Sequence, residues 1–253
     1  MESPETDMPS AGGLAARMAG IIRAPGAVFE ALRDRAPDRR HWLVPPLLYI
    51  ALTLVGTLLV VGRPGPAAQL RTLTEQEFLP QLEEYVRTGL ITAEQSDWLH
   101  HFITPGTLPF ILLQLAGTTI TAAAALLLFA LILRQIGRSA LGRKLPFRKA
   151  LEIVGLTFVV AMAERVVTTL LIVSTGSIFA TPGPGIALIG ASESTPFLLL
   201  SSINLFTLWE VGVASSGLAR LCDRDFPKVL VLLLALWFLW TLLSVAPLLI
   251  GGT

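Results

Sequence analysis

Five stretches of this chain are long, apolar and almost free of charge, and they limit its fold more than any other feature. They are Leu43–Val61 (LVPPLLYIALTLVGTLLVV), Leu108–Leu133 (LPFILLQLAGTTITAAAALLLFALIL), Ile153–Thr175, Pro196–Leu221 (PFLLLSSINLFTLWEVGVASSGLARL) and Val229–Gly251 (VLVLLLALWFLWTLLSVAPLLIG). A helix needs about 20 residues to cross a hydrocarbon core of roughly 30 Å. Within lipid every backbone N–H and C=O must be satisfied inside the segment, which a helix does by itself. Only 15% of the residues are charged, against about 25% in a soluble domain, and most of the charges fall between the stretches. The expected fold is all-α: a polytopic membrane protein with a five-transmembrane-helix bundle, its spans at about 43–61, 108–133, 153–175, 196–221 and 229–251. Residues 1–42 are expected to form a cytoplasmic N-terminal segment, and 43–251 the membrane domain.

The connecting segments set an orientation. Residues 134–149 carry Arg134, Arg138, Arg143, Lys144, Arg148 and Lys149 and no acid. Residues 62–107 carry Arg63, Arg71 and Arg87 with Glu75, Glu77, Glu83, Glu84, Glu94 and Asp97, and 176–195 carries only Glu193. The turn after the fourth stretch has Arg220, Arg224 and Lys228, and the first 42 residues have six arginines. Lys and Arg favour the cytoplasmic side, which places the N-terminus inside and the C-terminus outside. The opening MESPETDMPS has no basic n-region, so no cleaved signal peptide is expected. A bacterial cytoplasmic (inner) membrane fits the Ala-, Leu- and Arg-rich composition.

Two connecting segments have helical character. Near the N-terminus, Leu14, Met18, Ile21 and Ile22 share one face, and Val28, Phe29 and Leu32 share another after Pro25. Amphipathic helices on the membrane surface or helices packed on the basic loop account for this equally well. Residues 67–107 predict an extracytoplasmic helical hairpin, with Thr74/Glu77 and Thr92/Gln95 spaced as capping boxes. Pro80 argues for a kink or a late start there.

The third stretch carries Glu164 and Arg165 at its middle, and the fourth carries Glu210. Two charges at a helix centre cost about 5–7 kcal/mol on insertion scales. The twelve Leu, Ile, Val and Phe residues of the third stretch return about 4–7 kcal/mol, so this helix needs partners. Arg165 is expected to pair with Glu210 across the bundle. Glu164 is left to be protonated, to bond to Thr168, or to meet another chain. The bland reading is a buried ion pair that fixes helix register. The functional reading is a proton or substrate path, or a contact with a partner helix. Small residues offer close-packing faces: Gly117, Thr121 and Ala125 in the second stretch, and Gly212 with Ser216 and Val213 with Gly217 in the fourth. Packing within the bundle explains them more simply than a dimer face.

Several chemistries lack their parts. GRSALGRK (Gly137–Lys144) has P-loop glycine spacing, but Arg143 stands where the lysine belongs and a membrane helix precedes it. No Asp lies within a span, and His41, His100 and His101 fall at or beyond the span boundaries. The histidine pair has no third metal ligand at useful spacing. A lone cysteine, Cys222, excludes an internal disulfide. No catalytic residue, metal site or cofactor is expected, and a net charge of +1 gives no basis for nucleic-acid binding.

The segment IIRAPGAVFEALRDR (Ile21–Arg35), followed by Trp42, Leu43 and Pro45, resembles the opening of bacterial Yip1-domain membrane proteins. The resemblance continues at LPFRKALEIVGLTFV (Leu145–Val159) and INLFTLWEVGVASSGLARL (Ile203–Leu221). It covers most of the chain apart from the outer hairpin, and the charged centre of the third stretch departs from it. It implies a polytopic, non-enzymatic protein with a cytoplasmic N-terminus, and carries over no functional residues. The expected role is an accessory or scaffold subunit that contacts lipid and another integral membrane protein or itself, such as a component of an export system. The rival expectation is a small transporter or channel using Glu164, Arg165 and Glu210.

Overall fold

The computed structural model describes residues 13–191 and 194–250. Its helices are α1 (Leu14–Arg23), α2 (Pro25–Leu32), α3 (Arg40–Val61), α4 (Pro64–Glu77), α5 (Leu79–Arg87), α6 (Ala93–Ile103), α7 (Leu108–Ser139), α8 (Phe147–Thr175), α9 (Thr195–Ser201), α10 (Leu205–Cys222) and α11 (Phe226–Ile250). A 3-10 helix covers Pro184–Ala191. Among the described residues four helices are long and apolar enough to cross a membrane: α3, α7, α8 and the Phe226–Ser244 part of α11.

The window expected as one continuous fourth span is broken. It comprises α9 and α10, with Ser202, Ile203 and Asn204 between them. Serine and asparagine offer backbone groups a side-chain alternative to helical bonding, and Ser202 Oγ donates to Leu199 O at 2.7 Å. The loop ahead of α9 presses on the break: a Cβ on Gly183 would lie 2.3 Å from Ile203 O. Only a glycine lets backbone approach backbone so closely.

The chain forms two compact units, and their boundaries fall inside α3, α7 and α8. Among the described residues one comprises 13–49, 123–163 and 205–250. Its core includes Ile21, Phe29, Leu32, Ile153, Leu156, Val213 and Leu218, all fully or almost fully buried. Pro25 starts α2 at a position where its missing N–H costs nothing. That start turns the chain so that α2 packs on α10, with Phe29 and Ile153 closing over Gly217. The two N-terminal helices are therefore integral parts of this core.

The other unit comprises residues 50–122 and 164–204. Gln69 of α4 ties it together, donating to Gly176 O at 3.3 Å and accepting from Ile178 N at 2.9 Å. The segment expected as a two-helix hairpin holds three helices. Thr74 caps nothing: it lies within α4, and its hydroxyl donates to Leu70 O at 2.9 Å. The helix breaks at Phe78, and Pro80 takes the second position of α5, where it is tolerated. Thr92 does form the expected capping box with Gln95, with bonds of 3.2 and 2.8 Å. Thr92→Ala is expected to cost about 1 kcal/mol locally, and so to speed amide exchange in the first turn of α6 about fivefold. Hydrogen exchange followed by mass spectrometry reads this directly.

Candidate functional site: a buried charge cluster

The most concentrated polar chemistry lies in the first unit, where α1, α2, α3 and α8 meet. Lys149 and Glu152 stand one turn apart at the start of α8, and both are buried, Glu152 at 1% exposure. His41, the second residue of α3, is 2% exposed. Glu152 Oε1 accepts from the backbone N–H of Asp38 at 2.8 Å and from His41 Nδ1 at 2.7 Å. Lys149 Nζ lies 3.0 Å from Glu152 Oε2 and donates to Leu32 O at 2.6 Å. Leu32 ends α2, so the ammonium also meets the negative end of a helix.

Arg17 of α1 completes the chain of contacts by donating to His41 Nε2. Arginine has no acceptor, so Nε2 must accept and the ring proton sits on Nδ1, where it is donated to Glu152. The imidazole thus relays between a guanidinium and a carboxylate as a neutral bridge. Asp38 anchors the approach to α3, its Oδ1 accepting from Arg40 N at 2.9 Å. That amide holds the Asp38 carboxyl below the usual carboxylate range.

This geometry requires α3 and α8 to be close. A Cβ on Gly155, three residues after Glu152, would lie 2.2 Å from Trp42 Cα and 2.6 Å from His41 O. The two backbones touch there, and that contact sets His41 against Glu152. An amide and an imidazole donate to Oε1 of the carboxylate and an ammonium lies 3.0 Å from Oε2, all supplied by the chain itself, which suits a structural junction.

Sequence reasoning missed this cluster. His41 reads as a boundary residue and Glu152 as the edge of a span, and 111 positions separate them. One signal was present: Glu152 is the single acid between Asp97 and Glu164, and it follows six basic residues.

The residues that the sequence did single out are distributed over both units. Glu164 accepts a hydrogen bond from Asn204 Nδ2, at the break between α9 and α10. That partner lay within a stretch expected to be helical. Arg165 follows in α8 within the second unit, while Glu210 sits in α10 within the first. Gly217 is at a close approach and Ser216 is buried beside it. Gly117 and Gly212 have open space where a Cβ would stand, and Thr121 is exposed.

A family model, the Yip1 domain, matches residues 19–247. The chain belongs to the Yip1 domain family. This is a family of membrane proteins, in keeping with the four apolar helices. The bounds of the Yip1 domain enclose residues 67–107 as well, and they take in His41, Lys149, Glu152, Glu164, Arg165 and Glu210, leaving only Arg17 of the cluster outside. No curated protein and no solved structure matches the chain.

Proposed function

We propose that this chain is a non-enzymatic accessory or scaffold subunit of a membrane complex, such as an export system. One observation carries the reading: the buried charges are spent on one another, while the apolar helices face outward. Between 11% and 28% of the apolar window of each candidate span is buried within the chain, which leaves wide helix faces for lipid and for a partner helix. In this reading α9 and α10 complete a fifth crossing. The N-terminus is cytoplasmic, residues 64–103 lie outside as a docking element, and the membrane is a bacterial cytoplasmic (inner) membrane.

A transporter is the second reading, favoured by Glu164 and Asn204 meeting at a helix break. Interrupted helices with polar side chains are how many transporters build their sites. A cleft in the same unit is lined by Thr53, Thr57, Gln114 and Thr118, but it is too narrow for water, which gives the transporter less support. The deciding experiment is purification from native membranes in mild detergent, followed by reconstitution and a proton-flux assay. The scaffold reading expects a stoichiometric membrane partner and no flux. It also expects Arg165→Leu combined with Glu210→Leu to keep that partner. A lone protein whose flux is abolished by the double substitution would replace it with the transporter.

A further inference from the structure

The basic segment between α7 and α8 is not uniformly available. Arg143 is held 3.5 Å from Asp223, and Arg224 donates twice to Leu141 O, at 2.6 and 3.0 Å. Lys149 is committed to the buried cluster. These bonds fix the turn, together with Arg143 N donating to Gly137 O at 2.8 Å and the left-handed Gly142 at φ 64°. Among the described residues Arg134, Arg138, Lys144 and Arg148 remain exposed and have no ion-pair or hydrogen-bond partner. The fold thus holds the turn in shape and presents four cations with no acid to neutralise them.

Their setting is specific. Leu127, Leu131, Arg134 and Arg138 follow the spacing of one helical face. Leu127 and Leu131 are each 50% exposed and the two arginines are exposed as well. Ala130 and Leu133 turn the buried side of α7 inward. One outward stripe therefore runs from apolar to cationic at the end of a helix apolar enough to cross a membrane. It matches the order of an acyl chain and its phosphate. Lys144 and Arg148 add charge at the same end, where α8 begins.

We propose that this stripe and turn form a binding site for anionic phospholipid, the acyl chain lying along Leu127 and Leu131 and the headgroup phosphate meeting Arg134 and Arg138. Basic clusters at the end of a membrane helix attract anionic lipid, and guanidinium groups bind phosphate through paired N–H donors. The test is native mass spectrometry of the full chain with an equimolar mixture of phosphatidylglycerol and phosphatidylcholine. We expect bound phosphatidylglycerol to exceed phosphatidylcholine by about thirtyfold, from two cations engaged per headgroup. Combined Arg134→Gln, Arg138→Gln, Lys144→Gln and Arg148→Gln should bring the ratio close to one, and the matching all-lysine variant should keep most of it. A ratio near one for the unaltered chain overturns the proposal, as does a glutamine variant that keeps its preference. Glycerol phosphate competing as well as the whole lipid would assign the site to a free anion and overturn it too. If the glutamine variant does not fold, the unaltered chain decides at two salt concentrations. The preference must fall when salt rises from about 0.1 M to 0.5 M; an unchanged ratio refutes it.

Discussion

Glu152→Leu lowers the temperature at which Cys222 becomes open to a thiol reagent by roughly 10 °C, the shift that about 3–5 kcal/mol gives in a domain of this size. The single cysteine is 2% exposed, so its labelling follows loss of the first unit's packing. The size of the effect comes from what the substitution leaves behind. Lys149 loses the carboxylate 3.0 Å away, and the Asp38 amide and His41 Nδ1 lose their acceptor. Three donors are then stranded where water does not reach, and an unpaired buried charge is the costliest of them. The pair itself need not stabilise the fold relative to well-packed apolar groups. Lys149→Met added to Glu152→Leu should therefore recover much of the loss. A single Glu152→Leu variant labelled like the unaltered chain would show that the cluster holds nothing together.

Gly155→Ala is expected to cost about 3 kcal/mol or more, at the upper end for overpacking. The added methyl meets Trp42 Cα at 2.2 Å and the His41 carbonyl at 2.6 Å, and neither is a side chain that can swing away. Helix α3 has to move, which also separates His41 from Glu152. Gly117→Ala in α7 is the control, because its Cβ meets nothing within 4 Å. Both substitutions gain the same helix propensity of about 1 kcal/mol. Gly155→Ala should lower the Cys222 labelling temperature, whereas Gly117→Ala, which lies in the other unit, should not lower it. Equal shifts would mean that the α3–α8 contact is looser than the close approach at Gly155 implies.

The sequence made the long helices legible because their determinant is local. A run such as Leu108–Leu133 needs no partner to be recognised, and Thr92/Gln95 cap each other within one turn. Thr74 and Glu77 have the same spacing, but Pro64 begins α4 so far upstream that Thr74 falls inside the helix. The break at Ser202–Asn204 was hidden because its cause includes Gly183, a loop residue about twenty positions earlier. The charge cluster was the least legible. Its members lie in four helices, and nothing about His41 alone distinguishes a solvated histidine from one that bridges Arg17 and Glu152. Only Glu152, an isolated acid beside many bases, hinted that a buried cation needed it.

The distance between His41 and Glu152 along the chain also has a consequence for biogenesis. A ribosome adds about 5–20 residues per second, so the 111 positions between them take roughly 5–20 s to make. Through that interval α1, α2 and the start of α3 exist without the residues that bury them. Arg17 and His41 are exposed to whatever handles nascent membrane proteins, and the N-terminal helices dock only once the beginning of α8 has been made. Helices α1 and α2 are thus made well before they can be secured, and in that interval they are open to capture by an insertion factor or a partner.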